Sequence, residues 1–356
     1  MGRETDFLDE AIRHQVYLEK FGTSVSRKVA AKATRIVPAT VDLLLDLEEN
    51  LTDLGSKALP NLHSLIAQAH EINTRLMLDA IDSMMPELAE LASYEAGYTE
   101  RALSAATRSV RLASLRAGEA FDAALAQPIP ATGELLEALT EGWSKGEVKA
   151  AGDMIAKGYT NGLTNQQIVT SFRGTKALNY SDGIGPRIAR NAEAVTRTSI
   201  QHVAGTARME TWARNSDVVE GYTIVATLDS RTSPICRSLD GKTFKLGKGP
   251  RPPLHIRCRS TTVPALSKEF DFLDEGATRS AEGGPVSADL TYYEWLKTQK
   301  QAFQDEAIGT TRAKLLRDGG LSADEFSRLN LGRNFEAMTL DEMRKREPGA
   351  FRKAGI

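Results

Sequence analysis

The residues best suited to chemistry in this chain lie between Thr227 and Pro264, which hold both cysteines and one of the five histidines. Cys236, His255 and Cys258 are soft, ionisable donors, and Asp229 and Asp240 lie close enough in sequence to complete a ligand set. His255 and Cys258 are spaced so that one turn presents both, while Cys236 arrives from a separate arm. A mixed sulfur and nitrogen set suits zinc, in a structural role if the site is closed and in a catalytic one if a position stays open to water. The alternative is a metal-free loop, with His255 bonded to backbone and the cysteines acting as small buried hydrophobes. A disulfide is within geometric reach, but so few cysteines in so long a chain indicate a reducing compartment.

The same stretch is basic. Arg231, Arg237, Lys242, Lys245, Lys248, Arg251, Arg257 and Arg259 outnumber Asp229 and Asp240, an excess of roughly six positive charges that could meet nucleic-acid phosphates without reading sequence. Some of these cations are instead expected to brace loops, with Arg231 and Arg259 pairing with the two aspartates. Aromatic residues are sparse here, which argues against base stacking. The chain has no GxSxG elbow, Walker A loop, GxGxxG turn or HExxH helix. His14, His63, His70 and His202 fall on helical segments as ordinary surface or core residues, and Trp143, Trp212 and Trp295 are expected as packing anchors.

The elements that must position this stretch are mostly helices. Leu43, Leu44, Leu47, Leu51 and Leu54 recur at helical spacing, as do Leu103, Ala106, Val110, Ala113, Ala117 and Phe121. Pro38, Pro60 and Pro86 mark helix starts, and Gln127–Gly133 is a loop. Gly158–Gly174 holds two helix ends about a turn at Asn161-Gly162, with Thr164 as an N-cap. Gly185-Pro186 opens a long helix with Ile188, Ala192, Val195, Ser199, Val203 and Ala207 on its apolar stripe; Arg187, Arg190, Arg197 and Arg208 lie off it. Tyr222–Thr227 is β-branched and aromatic, hence a strand. Asp240-Gly241 signals a hairpin into Lys242–Lys245, and Thr261–Val263 is a third strand. Gly276–Pro285 reads as a linker. Capping boxes at Thr291/Glu294, Ser322/Glu325 and Thr339/Glu342 start C-terminal helices, and Gly319-Gly320 ends the first of them.

The fold class that follows is mainly α: long N-terminal helices, a small α+β module with a short antiparallel sheet, and a helical tail. The expected divisions are 1–157, 158–275 and 276–356. The 356 residues carry a formal net charge of −2, so no global attraction to nucleic acid or membrane follows. The N-terminus is charged and lacks the apolar core of a signal peptide, and no apolar run reaches the length of a membrane span.

Asp229-Ser230-Arg231-Thr232, Cys236, Asp240-Gly241-Lys242, Pro252-Pro253-Leu254-His255 and the run Arg257–Pro264 together resemble the head morphogenesis, or minor head protein, family of tailed bacteriophages, the Mu F-like domain. The helix at Arg197-Thr198 and the strand at Tyr222–Thr227 resemble the same domain. Tyr293–Leu296, Gln299, Gln304–Glu306 and Gly309 resemble a tail attached in one branch, while Tyr94-Glu95-Ala96 and Gly162–Gly174 match more loosely. Many members carry a fuller CxxC and CxC set; here Ser233 and Ser260 stand at two of those positions, leaving a three-residue site completed by aspartate or a metal-free loop. The resemblance implies a structural, non-enzymatic minor capsid protein, made in the host cytoplasm and carried in the virion inside the capsid near the portal. It implies contacts with portal protein, with major capsid or scaffolding protein and with packaged double-stranded DNA, aiding assembly and genome packaging or delivery. The competing expectation is a metal-dependent nuclease or hydrolase built on Asp229, Cys236, Asp240, His255 and Cys258.

Overall fold

The structure, a computed structural model, describes residues 7–50, 58–107, 111–267 and 278–356. Its N-terminal helices are α1 (Phe7–Ala33), α2 (Ile36–Asn50), α3 (Ala58–Asp82), α4 (Met85–Thr107), α5 (Glu119–Ala126), α6 (Leu136–Thr160), α7 (Asn165–Arg173) and α8 (Gly185–Arg214). Strand β1 (Val219–Val225), helix α9 (Pro234–Leu239) and strands β2 (Thr243–Lys245), β3 (Thr261–Leu266), β4 (Thr278–Ala281) and β5 (Gly284–Ser287) follow. The chain ends in α10 (Tyr292–Thr298), α11 (Gln301–Ile308), α12 (Thr310–Asp318), α13 (Ala323–Leu329), α14 (Leu340–Arg346) and α15 (Pro348–Ala354). The chain is mainly α, with a small antiparallel sheet, as its periodicities predict.

Helix α8 is the spine. Pro186 sits in its first turn, where the missing N–H costs nothing. The stripe Ile188, Ala192, Val195, Ser199, Val203 and Ala207 is buried. From Thr198 to Met209 every residue is buried, so this half of the helix has no solvent face. Leu18 and Val29 of α1, Leu44 of α2, Met77 of α3, Leu88 of α4 and Phe172 of α7 pack into the core that α8 runs through. Helix α6 passes through the expected boundary at 157/158, and that core draws residues from both sides of it.

Burying α8 all round forces a polar solution for Arg208. It is 5% exposed, not a surface cation, and its Nε lies 4.0 Å from Oε2 of the fully buried Glu95 on α4. Burial lowers the pKa of Arg208 while Glu95 opposes the shift. Glu95 also bonds His14 of α1 through Oε1, and Arg208 donates to Thr261 Oγ1 of β3. One carboxylate thus joins α1, α4 and α8, and the arginine extends the link to the sheet.

The sheet has the order β2-β1-β3, antiparallel throughout. Tyr222 faces Phe244 on one side and Pro264 on the other. Gly221 is required where β1 meets β2, since a Cβ there would lie 2.2 Å from the Phe244 carbonyl oxygen.

Several expectations are corrected. The stripe from Leu103 to Phe121 is not one helix: α4 ends at Thr107 and α5 begins only after Gly118, whose φ of +86° is outside the helical region. Between them Ala113 is held by Asn215, whose Oδ1 accepts from its N–H and whose Nδ2 donates to its carbonyl. Val110 lies outside the described residues, as do Leu51 and Leu54. Asp240-Gly241 turns the chain from α9 into β2 and does not close a two-residue hairpin. Residues 278–285 of the expected linker belong to the β4–β5 hairpin, with Arg279 opposite Val286. The segment from Thr291 to Gly319 forms three short helices, not one. The capping box at Thr164 forms with Gln167, and those at Thr291, Ser322 and Thr339 form with their glutamates. Tyr292, Trp295, Phe326, Met343 and Phe351 make a separate C-terminal core.

A Cys/His/Cys cluster as candidate metal centre

Three local structures deliver the cluster. Ser233 caps α9 by accepting the Cys236 N–H at 3.4 Å, with Pro234 in the first turn. This fixes Cys236 on the inner face of α9. His255 and Cys258 close a four-residue turn through the Cys258 N–H to the His255 carbonyl, 3.1 Å. Arg257, at φ +61°, is its third residue, and its N–H donates to Thr198 Oγ1 of α8 at 3.1 Å. The spine helix therefore sets the height of the turn. Ala226, Ile235 and Leu254 pack around the thiols.

Cys236 Sγ lies 3.7 Å from Cys258 Sγ and 3.3 Å from His255 Nε2. The donor atoms of Cys236, His255 and Cys258 all lie within 4.8 Å of one another, the one such His/Cys/Asp/Glu group found among the described residues. Tetrahedral zinc with ordinary bond lengths separates two sulfurs by about 3.8 Å and a sulfur from a nitrogen by about 3.6 Å. The spacings fit. The tautomer fits as well: His255 Nδ1 lies 2.8 Å from the Ile256 carbonyl, which can only accept, so the neutral ring turns its Nε2 lone pair toward the thiols. Both thiols are buried. The hydrogen bond between them raises the Cys236 pKa and lowers that of Cys258; burial adds to the rise at Cys236, and His255 favours the Cys258 thiolate. His255 is correspondingly more basic than usual, through its hydrogen bond with Cys258. A thiolate, a second thiol and an imidazole are the donor set zinc takes; bound there, it would tie α9 to the 255–258 turn.

The aspartates are not brought to this cluster. Burial works to raise the Asp229 pKa, but Arg259 Nη1 and Nη2 at 2.6 and 2.9 Å, Thr232 and the Arg231 N–H hold it low. Asp240 is fully buried and meets Arg279 Nη1 and Nη2 at 2.9 and 3.0 Å, with the Ala226 N–H at 2.7 Å. Arg279 also donates to the carbonyls of Ala226 and Leu290. This arginine stands in the stretch that reads as linker, and no local signal in the sequence marks it.

The expected basic patch is also divided. Arg237 is buried, donates to the Ser230 carbonyl at 3.0 Å and lies 5.2 Å from the Tyr292 ring centroid. Arg259 is spent on Asp229, and Lys242 is half-buried, its pKa lowered by that burial. Arg257 donates to the Arg190 carbonyl at 2.5 Å. Lys245 and Lys248 are exposed, as is Arg231, 3.9 Å from Asp229. The insert is thus braced largely by the charges that make it look like a polyanion surface.

Every donor of the cluster falls in one stretch with a recognisable pattern. Residues 150–263 match the family model described as phage Mu protein F like protein. That stretch is similar to the Mu F-like head-morphogenesis domain. No curated protein and no solved structure matches the chain. The matched stretch takes in α7, α8, the insert and the start of β3. Its two buried arginines are answered from outside the matched stretch: Arg208 by Glu95, and Arg237 by the ring of Tyr292. His14, placed by its sequence among ordinary helical residues, takes part in the first of these. No helix among the described residues is long and apolar enough to cross a membrane.

Proposed function

We propose that this protein is a minor capsid protein of a tailed bacteriophage, held inside the head at the portal vertex, where it aids assembly and genome packaging or delivery. The observation that carries this is the Mu F-like match over residues 150–263. Its partners on this proposal are the portal, major capsid or scaffolding protein, and packaged double-stranded DNA, touched without sequence preference by Arg231, Lys245, Lys248 and Arg251. The three divisions 1–157, 158–275 and 276–356 then become a helical flank, the Mu F-like module and a helical tail. Zinc at Cys236, His255 and Cys258 is structural on this proposal. The experiment is quantitative mass spectrometry of purified particles together with co-assembly on the portal. We expect a few copies per portal and a retained complex; absence from particles, or no association with portal, refutes the proposal.

One observation favours a second reading. Three protein donors leave a zinc coordination position open, as in hydrolytic sites. Against it, Asp229 and Asp240, the carboxylates such a site would draw on as base, are locked to Arg259 and Arg279. Plasmid nicking with divalent metals that is lost in His255→Ala would establish the hydrolase; no nicking removes it.

A further inference from the structure

Arg251 differs from the other cations of the insert. It is half-buried, has no carboxylate within ion-pairing distance among the described residues, and lines a pocket of about 350 Å³ with Lys248, Gly247, Gly249, Tyr222 and Gln127. Its one protein acceptor is neutral: Nη2 donates to Gln127 Oε1 at 2.6 Å. The pocket's carboxylate, Glu210, is turned to the same glutamine, its Oε1 accepting from Gln127 Nε2 at 2.7 Å. Gln127 therefore holds the guanidinium in place without neutralising it. Burial lowers the Arg251 pKa, a desolvation cost that an anion would offset.

The rest of the wall is built for the same charge. Tyr222 shares its hydroxyl proton between the carbonyls of Lys248 and Pro250, at 2.6 and 3.0 Å, which fixes the loop. Gly247 and Gly249 both have positive φ, and their backbone N–H groups donate to no protein acceptor among the described residues. Lys248, exposed and without an ion-pair partner among the described residues, completes a net positive pocket over the single Glu210. A guanidinium beside an ammonium and open loop amides is a donor set for oxyanions.

We propose that this pocket is an anion subsite that takes a phosphoryl group, held by the Arg251 guanidinium and the Lys248 ammonium. The group comes either from the backbone of duplex DNA, in which case the subsite anchors the DNA contact proposed above, or from free phosphate, in which case it stands without that contact. The test measures inorganic phosphate by calorimetry at low ionic strength and a fluorescently labelled DNA duplex by anisotropy, on the full chain. Wild-type protein should bind phosphate saturably. Arg251→Gln should weaken it about tenfold or more, the scale of a lost charge-assisted hydrogen bond. Lys248→Gln, an exposed change that leaves the fold alone, should weaken it several-fold, and Lys149→Gln on α6 should leave it unchanged. Loss of duplex affinity in the same two variants assigns the phosphoryl group to DNA; unchanged duplex affinity with lost phosphate binding assigns it to free phosphate and removes the DNA anchor alone. The proposal is overturned if phosphate does not bind saturably, or if Lys248→Gln and a normally melting Arg251→Gln bind it like the wild type. Should Arg251→Gln melt early, Arg251→Lys decides: the retained charge must preserve most of the phosphate affinity.

Discussion

Replacing Arg279 with methionine tests whether the insert is held rigid from outside the matched domain. The Arg279 and Asp240 side chains are 3% and 0% exposed, so neither charge can turn to water. Methionine keeps much of the aliphatic volume and removes the guanidinium. Asp240 then retains the Ala226 N–H at 2.7 Å, while the carbonyls of Ala226 and Leu290 lose the donor they share. Stranding one partner of a buried ion pair costs about 3–5 kcal/mol. We expect a loss near the middle of that range in urea unfolding followed by circular dichroism, with the slope against denaturant unchanged. Asp240→Asn keeps the acceptor for Ala226 and removes the stranded charge. The double variant Arg279→Met/Asp240→Asn should therefore lose clearly less than the sum of the singles. The reasoning is refuted if Arg279→Met costs less than about 1 kcal/mol, or if the two substitutions add without coupling.

Further outcomes follow from the same geometry. Zinc added to metal-free protein should raise the melting temperature, with stabilisation of about 2.7 kcal/mol at a hundredfold excess over the dissociation constant; Cys258→Ser and His255→Gln should lose most of it, and a melting point indifferent to zinc contradicts the site. His202 is kept neutral by burial, with Nε2 bonded to the Ala124 carbonyl at 2.8 Å, so its folded pKa lies below the unfolded value. Its contribution is complete above about pH 6.5 and declines as pH falls from there toward the depressed folded pKa, by at most about 1.4 kcal/mol per pH unit. Unfolding titrations should show this decline in the wild type and a shallower one in His202→Gln; identical pH profiles would rule it out.

The helices were legible because their signals are local. Pro186 in a first turn, Thr164 as an N-cap, and serine or threonine three residues before glutamate each act within one turn of chain, and each cap forms. The stripe from Leu103 to Phe121 misled for the complementary reason. Apolar spacing continues through Ala113 and Ala117, but a side chain from 102 residues away, Asn215, holds the Ala113 backbone between two helices. Periodicity carries no information about such a partner. The linker composition of Gly276–Pro285 misled likewise: glycines that suit a flexible segment also suit a tight hairpin, and Gly283 and Gly284, at positive φ, serve the second use.

The candidate site divides along the same line. His255 and Cys258 share one turn, so their spacing announced them, and Cys236 could be added because no other cysteine exists. The aspartates could not be placed that way. Which charge answers Asp240 depends on an arginine 39 residues downstream, and the stretch Thr227–Pro264 alone offers eight nearer cations that look equally suited. Burial decides among them. A carboxylate with no exposure needs a guanidinium with none, and Arg279 can be withdrawn because the hairpin stacks its strand beside Leu228, where Glu282 N–H meets the Leu228 carbonyl at 2.8 Å. The same demand explains Arg208, which helical periodicity puts off the apolar stripe and the surrounding helices nonetheless enclose. A charge count along the insert therefore overstates what faces outward: Asp229 and the Ser230 carbonyl claim Arg259 and Arg237, and the charges left for a partner are those, such as Lys248 and Arg251, that no carboxylate among the described residues claims.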